Sequence, residues 1–231
     1  MLAALLWGAV AASSLVIGGM LALAHDWSAR LVGLVLGFGA GALISAVSFD
    51  LFEEGQVLGG PIPVAAGLAA GALTYFALDR LVETKLPGAG PALALGALLD
   101  GIPEQAVLGI GLGAGEKVSI GLLAAIFVSN LPEAIGSATD MRASGSSKRQ
   151  IRLLWLGVAG CCALATPLGY LLATHTGGHF QALINGFAAG ALLVMLVDSM
   201  IPEATEKSGA FAGLATTLGF ALAAGLSATS A

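Results

Sequence analysis

Apolar runs of membrane-spanning length alternate with short polar breaks along the whole chain. The runs fall near 2–24, 31–54, 61–79, 91–114, 118–140, 152–174, 180–202 and 210–228. Each holds about 20 residues, the number an α-helix needs to cross the hydrocarbon of a bilayer. Breaks such as His25-Asp26-Trp27-Ser28-Ala29-Arg30 and Gly115-Glu116-Lys117 are just long enough to reverse the chain. The pattern predicts an all-α polytopic membrane protein: eight transmembrane helices in a single transmembrane domain, residues 1–231, with the lipid bilayer as its solvent. The first run starts at Leu2 with no basic segment before it and is long enough to span. It is therefore expected to be the first transmembrane helix rather than a cleaved signal.

Composition strengthens this reading. Of 231 residues, 57% are hydrophobic and 10% charged, and the mean hydropathy is +0.94. A soluble domain carries about 25% charged residues, so in water this chain would expose large apolar areas. The net charge of -5 gives no basis for a nucleic-acid partner. Cys161 and Cys162 are adjacent in an apolar run. Neighbours on a helix point in different directions, so no disulfide between them is expected and both read as small buried apolar residues. The 34 glycines predict a tight bundle, because small residues let helix backbones approach closely in lipid.

Charge placement tests the helix count independently. The first, third, fifth and seventh breaks hold Arg30; Arg80 and Lys85; Arg142, Lys148, Arg149 and Arg152; and Lys207, eight of the nine basic residues. Only Lys117 falls in an even break. Cytoplasmic loops are enriched in Lys and Arg, so the odd breaks are expected in the cytoplasm and both termini outside.

Charged groups within a span are costly and mark pathways or sites by default. Asp50, Glu54, Asp100, Glu104, Glu133 and Asp198 lie inside the runs, with Glu53 and Glu203 close to helix ends. All are acidic, and no Lys or Arg is expected at comparable depth to neutralise them. Such a set calls for a cation or for protons. Two segments sharpen the case: Asp100-Gly101-Ile102-Pro103-Glu104 and Ser129-Asn130-Leu131-Pro132-Glu133, in consecutive spans. A proline inside a helix removes one backbone hydrogen bond, so Pro103 and Pro132 are expected to free the carbonyls of Leu99 and Val128. Residues four apart share a helix face, which aligns Asp100 with Glu104, and Ser129 and Asn130 with Glu133. Facing each other, the two helices would offer an oxygen-rich ligand set suited to a divalent cation.

An internal repeat adds organisation. Phe38-Gly39-Ala40-Gly41-Ala42-Leu43 matches Phe187-Ala188-Ala189-Gly190-Ala191-Leu192; in the same register Glu54 pairs with Glu203, and Asp50 falls one position from Asp198. The expected arrangement is 3+2+3, with a repeat relating the first and last three helices about a central pair. Inverted repeats with a midplane site on broken helices are common in secondary transporters.

At these residues the sequence resembles the ZIP (Zrt/Irt-like) family of metal transporters. The two Pro-Glu segments occupy the places of the family's helix-four and helix-five motifs. Ser48-Phe49-Asp50-Leu51-Phe52-Glu53-Glu54 is similar to the polar end of its helix two, and Val197-Asp198-Ser199-Met200-Ile201-Pro202-Glu203 to the ending of its helix seven. The resemblance implies transport of divalent metal ions (zinc, or manganese or iron) into the cytoplasm across the cell (inner) membrane. The metal is then the cargo; no cofactor is expected and the protein is not an enzyme. It further implies that Glu104 and Glu133 bridge the ion, that Asp100, Asn130 and Ser129 complete its shell, and that Asp50, Glu54, Asp198 and Glu203 line the pathway. Asp50 and Glu54 would lead towards the cytoplasmic end of helix two. Helices one, four, five and six would move against helices two, three, seven and eight, the latter forming a homodimer contact.

The sequence departs from the family in three places. Asp100 replaces a histidine, Gly101 an asparagine, and Thr166 the acid before Pro167 of helix six. One metal site is therefore expected rather than two, shifted towards harder ions by carboxylate in place of imidazole. His25, His175 and His179 read as interfacial residues near helix ends. A non-transporting or differently coupled homologue, such as a metal sensor or proton-linked carrier, is the alternative, motivated by the missing histidine. An intramembrane hydrolase would need His-Glu-x-x-His, which is absent, or an aspartyl pair drawn from Asp50, Asp100 and Asp198.

Overall fold

The run-and-break pattern folds into helices at the predicted places. The computed structural model describes residues 1–85, 91–115, 118 and 120–230; the side chains of Glu83, Lys85, residues 91–95, Asp100, Thr229 and Ser230 lie outside that description. Its helices are α1 (Leu2–Ala24), α2 (Ala29–Gly59), α3 (Pro61–Lys85), α4 (Pro91–Gly113), α5 (Ile120–Ala143), α6 (Lys148–His175), α7 (Gly178–Ser208) and α8 (Phe211–Ser230). Among the described residues, seven of these, all but α4, are long and apolar enough to cross a membrane.

Helices begin where side chains can satisfy their first free amides. Ser28 accepts from the Leu31 amide at the start of α2. Ser147 and Gln150 form a reciprocal capping box at the start of α6.

Three helices run further than the hydropathy pattern predicts: α3 ends at 85 rather than 79, and α2 and α7 continue through their polar stretches. The expected ends at 54 and 202 become 59 and 208. In each, the polar stretch is carried by a widened π-helical segment, Val47–Glu53 in α2 and Leu196–Met200 in α7, and the helix then continues. The widened turn absorbs an extra residue without ending the helix. Pro202 sits in the first turn after that segment, where a missing amide costs least. Both helices stop at a glycine of positive φ, Gly60 at 87° and Gly209 at 61°, a backbone conformation that side chains disfavour.

Packing is set by backbone-to-backbone approach. The principal helix pairs are α3 with α7, α4 with α6, α2 with α8, and α1 with α5 and α6; α5 also lies along α2. A Cβ on Gly71 would lie 1.9 Å from the Phe187 carbonyl oxygen, and one on Gly41 1.8 Å from that of Thr216. These contacts tie α3 to α7 and α2 to α8 at distances only glycine permits. The Trp155 ring of α6 is fully buried and lies over Gly19 of α1. Large side chains such as Leu2, Leu73, Leu153, Leu168 and Leu214 point outwards, as expected where the solvent is hydrocarbon. Cys162 is buried beside Gly101 as the sequence suggests, whereas Cys161 is exposed on the outer face of α6. The reason is helical geometry: adjacent residues sit about 100° apart, so only one of them can face the bundle.

The ends of the bundle sort the breaks. Arg142 of the fifth break pairs with Asp26 of the first and donates to the Ala22 carbonyl at 3.0 Å. Arg30 lies 4.9 Å from the centre of the Phe211 ring, at the seventh break. At the opposite end, the start of α7 lies against the end of α2, with the Leu58 carbonyl oxygen 2.4 Å from a Cβ built on Gly178. Three of the four basic breaks thus share one end; the side chain of Lys85, in the third, lies outside the described residues. His25 packs edge-on against Trp27, whose indole donates to the Leu21 carbonyl at 3.1 Å. That is an interfacial arrangement of amphipathic rings.

The close approaches predict which glycines tolerate a side chain. Gly71→Val and Gly41→Val are expected to cost at least the ~1–3 kcal/mol of overpacking. Gly157→Ala and Gly160→Ala, where nothing lies within 4 Å, are expected to leave stability unchanged or raised. The midpoint of thermal unfolding in detergent measures the difference.

Candidate metal centre

The centre of the bundle is built from α4 and α5. Both remain helical through their internal prolines, Pro103 and Pro132. Glu104 is 2% exposed, and Ser129 and Asn130 are each 1% exposed. Ser129 Oγ lies 3.3 Å from Glu104 Oε1, and Asn130 Nδ2 donates to Glu104 Oε2 at 2.7 Å. A buried carboxylate needs such donors, since burying it without compensation costs several kcal/mol. Both donors are steadied by their own helix. Ser129 Oγ shares its single proton between Glu104 and the Ile126 carbonyl, 3.0 Å away, and the second N–H of Asn130 Nδ2 reaches the same carbonyl at 2.8 Å.

The proline break in α5 is sealed by α2. Pro132 leaves the Val128 carbonyl without its helical donor. That oxygen would lie 3.2 Å from a Cβ on Gly39, and Ser129 Cα 2.8 Å from it. Irregular backbone at membrane depth is tolerated where protein buries it; here a glycine lets α2 close over the break.

Glu133 is half-buried one turn beyond Ser129 on the same helix. Of the five expected ligands, the structure brings Glu104, Ser129 and Asn130 together and places Glu133 next along α5. The Asp100 side chain lies outside the described residues. Among the described residues, no three side chains of His, Cys, Asp or Glu gather closely enough to hold a metal by themselves. The cluster is a carboxylate, an amide and a hydroxyl. With the Asn130 amide turned to present Oδ1, its ligand atoms are all oxygen, the donor set of hard divalent cations.

The pathway residues divide between the two ends. Asp50 lies in the π-helical segment of α2 and Glu54 just after it, and both line a cavity of about 50 Å³ with Asn185 of α7. The expectation that they lead to the cytoplasmic end of helix two conflicts with the expectation that the basic breaks are cytoplasmic. α2 starts at the basic first break and runs away from it, so its acidic end belongs to the opposite side of the bundle. Glu203 lies at the basic end, and Lys207, one turn later, donates to its Oε1 at 2.5 Å. This overturns the expectation that no cation accompanies the acids: helical i,i+4 spacing supplies one. Asp198 is exposed on α7 rather than turned into the bundle. The segment carrying Asp50 packs against the first part of α7, and that carrying Asp198 against the first part of α2. The two aspartates thus sit in opposite halves and do not form a pair.

Three further buried polar residues lie near the centre: Gln105 and Asn185, which the sequence reading missed, and Thr166, which it read only as a lost acid. Gln105 is 1% exposed beside Glu104, and Thr166 Oγ1 donates to its Oε1 at 2.7 Å. Gln105 Nε2 has no hydrogen-bond partner. Thr166 therefore does hold the place before Pro167 as a buried polar group, but it serves an amide. Asn185, 2% exposed, is the third. Each is a neutral polar residue in an apolar span, where the cost of burying an unpaired polar group is the signal that could have found it.

No family model matches the chain. Two relatives do. A protein of Arabidopsis thaliana, provisionally named a zinc transporter, is 28% identical over 189 residues, which are 76% of this chain and 30% of that protein. The chain thus spans about a third of that relative's length. The zinc transporter ZIPB of Bordetella bronchiseptica is 30% identical over 233 aligned residues, covering 89% of this chain and 74% of that one.

The geometry ranks the two donors to Glu104. Asn130→Ala removes the 2.7 Å contact and is expected to cost about 1–3 kcal/mol, the penalty for a buried acceptor left short of a donor. Ser129→Ala loses a longer contact of 3.3 Å and is expected to cost about 0.5–1.5 kcal/mol. Unfolding midpoints of the two variants in detergent check the order.

Proposed function

The chain belongs to the ZIP family of metal transporters, and from that premise we propose that it carries divalent metal ions across the membrane by way of the Glu104–Ser129–Asn130 cluster. One observation carries the reading. A carboxylate 2% exposed is held between two proline-broken helices of a membrane bundle by an amide and a hydroxyl. A packed core has no use for so costly a group. An ion path does.

The residues suggest how an ion is held. Asn130 now donates through Nδ2; rotation of its amide presents Oδ1 instead, exchanging a donor to Glu104 for a second oxygen ligand. Ser129 keeps its proton on the Ile126 carbonyl and offers a lone pair. Glu133, with Asp100 from α4, completes a shell that is oxygen throughout. Such a shell suits manganese or iron(II), and zinc where carboxylates suffice. Transport into the cytoplasm across the cell membrane is part of the same proposal, which the likeness to zinc transporters supports.

The helix pairs support an inverted repeat. Exchanging α1 with α6, α2 with α7, α3 with α8 and α4 with α5 maps the principal pairs onto one another: α3–α7 onto α8–α2, and α4–α6 onto α5–α1. The two π-helical segments begin at matching positions, Val47 and Leu196, and the two terminal glycines also match. We read this as the 3+2+3 arrangement, with the ion at the centre of the exchange. Gathering of the basic breaks at one end supports both termini lying outside the cytoplasm.

Two experiments test the reading. In proteoliposomes loaded with a divalent-ion dye, Mn, Fe, Zn, Co and Cd are offered to wild type and to Glu104→Gln. Uptake is expected to fall at least a hundredfold in the variant; undiminished uptake overturns the role of the cluster. For orientation, a cysteine at Ser146 in a Cys161→Ala, Cys162→Ala background is expected to react with an impermeant maleimide only after cells are opened.

A further inference from the structure

The cavity at the acidic end of α2 stands apart from the central cluster yet on line with it. α4 contributes Leu108 and Gly111, and α5 contributes Leu122. Leu108 and Gly111 follow Glu104 by four and seven residues, so they lie on its face of the helix. At 1.5 Å rise per residue they sit roughly 6–10 Å further along. Leu122 precedes Ser129 by seven residues and lies on that face of α5. The cavity therefore sits one to two turns above the cluster, between the same helix faces.

Its chemistry is that of a cation site. Asp50 and Glu54 line it from α2 and Asn185 from α7. Asn185 is 2% exposed, and its Oδ1 has no hydrogen-bond partner. A buried amide oxygen without a donor is an uncommon and costly feature, and a cation removes that cost. Two carboxylates with one amide oxygen make an incomplete shell. The remaining described lining residues, Leu108 and Leu122 among them, have apolar side chains. The volume of about 50 Å³ leaves room for an ion with a few of its waters. Glu203, which matches Glu54 in the repeat, is already served by Lys207. The residue matching Lys207 is Leu58, so the i,i+4 pair of α7 has no counterpart within α2.

We propose that Asp50, Glu54 and Asn185 form a second cation site, which holds a partly hydrated divalent ion before it sheds water into the Glu104 cluster. Partial hydration makes this site weaker and less selective than the central one. The inference rests on the divalent-ion reading above, but its test is binding rather than uptake.

The probe is Mn²⁺, counted by the loss of its free electron-paramagnetic-resonance signal, on the full chain in detergent. A Glu104→Gln, Glu133→Gln variant disables the central cluster. One Mn²⁺ is expected to remain bound to it. Adding Glu54→Gln, which keeps shape and volume, or Asn185→Leu is expected to weaken that residual ion at least tenfold. Asn185→Asp, which restores an oxygen ligand, is expected to retain it. Absence of residual binding in the central variant, or residual binding that survives Glu54→Gln, overturns the proposal. Neither result bears on whether Glu104 is needed for uptake, so the two readings fail separately.

Discussion

A carboxylate buried at the centre of an apolar bundle is the constraint to which the rest of the molecule answers. Glu104 cannot stay there on hydrophobic packing, because removing an ionisable group from water costs far more than any one apolar contact returns. Its two oxygens are met by Ser129 and Asn130 across the α4–α5 contact. Those two side chains lean in turn on the Ile126 carbonyl. The proline breaks beside them would expose backbone in a looser fold. Close helix packing makes them tolerable.

That closeness comes from glycine. In lipid there is no hydrophobic force between helices, so backbones must approach until dispersion and weak Cα–H···O contacts hold them. Gly39 against Ser129, Gly41 against Thr216, Gly71 against Phe187 and Gly109 against Thr166 are all instances. The first brings α2 over the Glu104 cluster; the last sets α6 on α4, which places Thr166 within reach of Gln105. Packing residues thus do indirect work at the centre, since the donors to Glu104 depend on where the backbones come to rest.

The two ends of the path differ although the sequence relates them. Glu54 and Glu203 occupy matching places in α2 and α7, each following a π-helical segment. Glu54 lines a cavity with Asn185, while Glu203 is tied to Lys207. Lys207 and Leu58 hold matching positions, so the i,i+4 ion pair forms in α7 and has no counterpart in α2.

Much was legible in the chain itself, for a physical reason. Hydropathy, proline and glycine act within one helix, so the eight runs, the partition of basic breaks and the pairing of the two Pro-Glu segments could all be read from residue order. Glu104 with Ser129 and Asn130 emerged from the same logic, since two broken helices carrying acids and amides must satisfy one another. What lay beyond it depends on which face of one helix meets which neighbour. The pairing of Gln105 with Thr166, the buried Asn185, the outward turn of Asp198 and of Cys161, and the end of the bundle to which Asp50 and Glu54 belong were decided only by the tertiary structure. Residue order along a helix sets the angle at which a side chain leaves its axis; backbone approach between helices sets what it finds there.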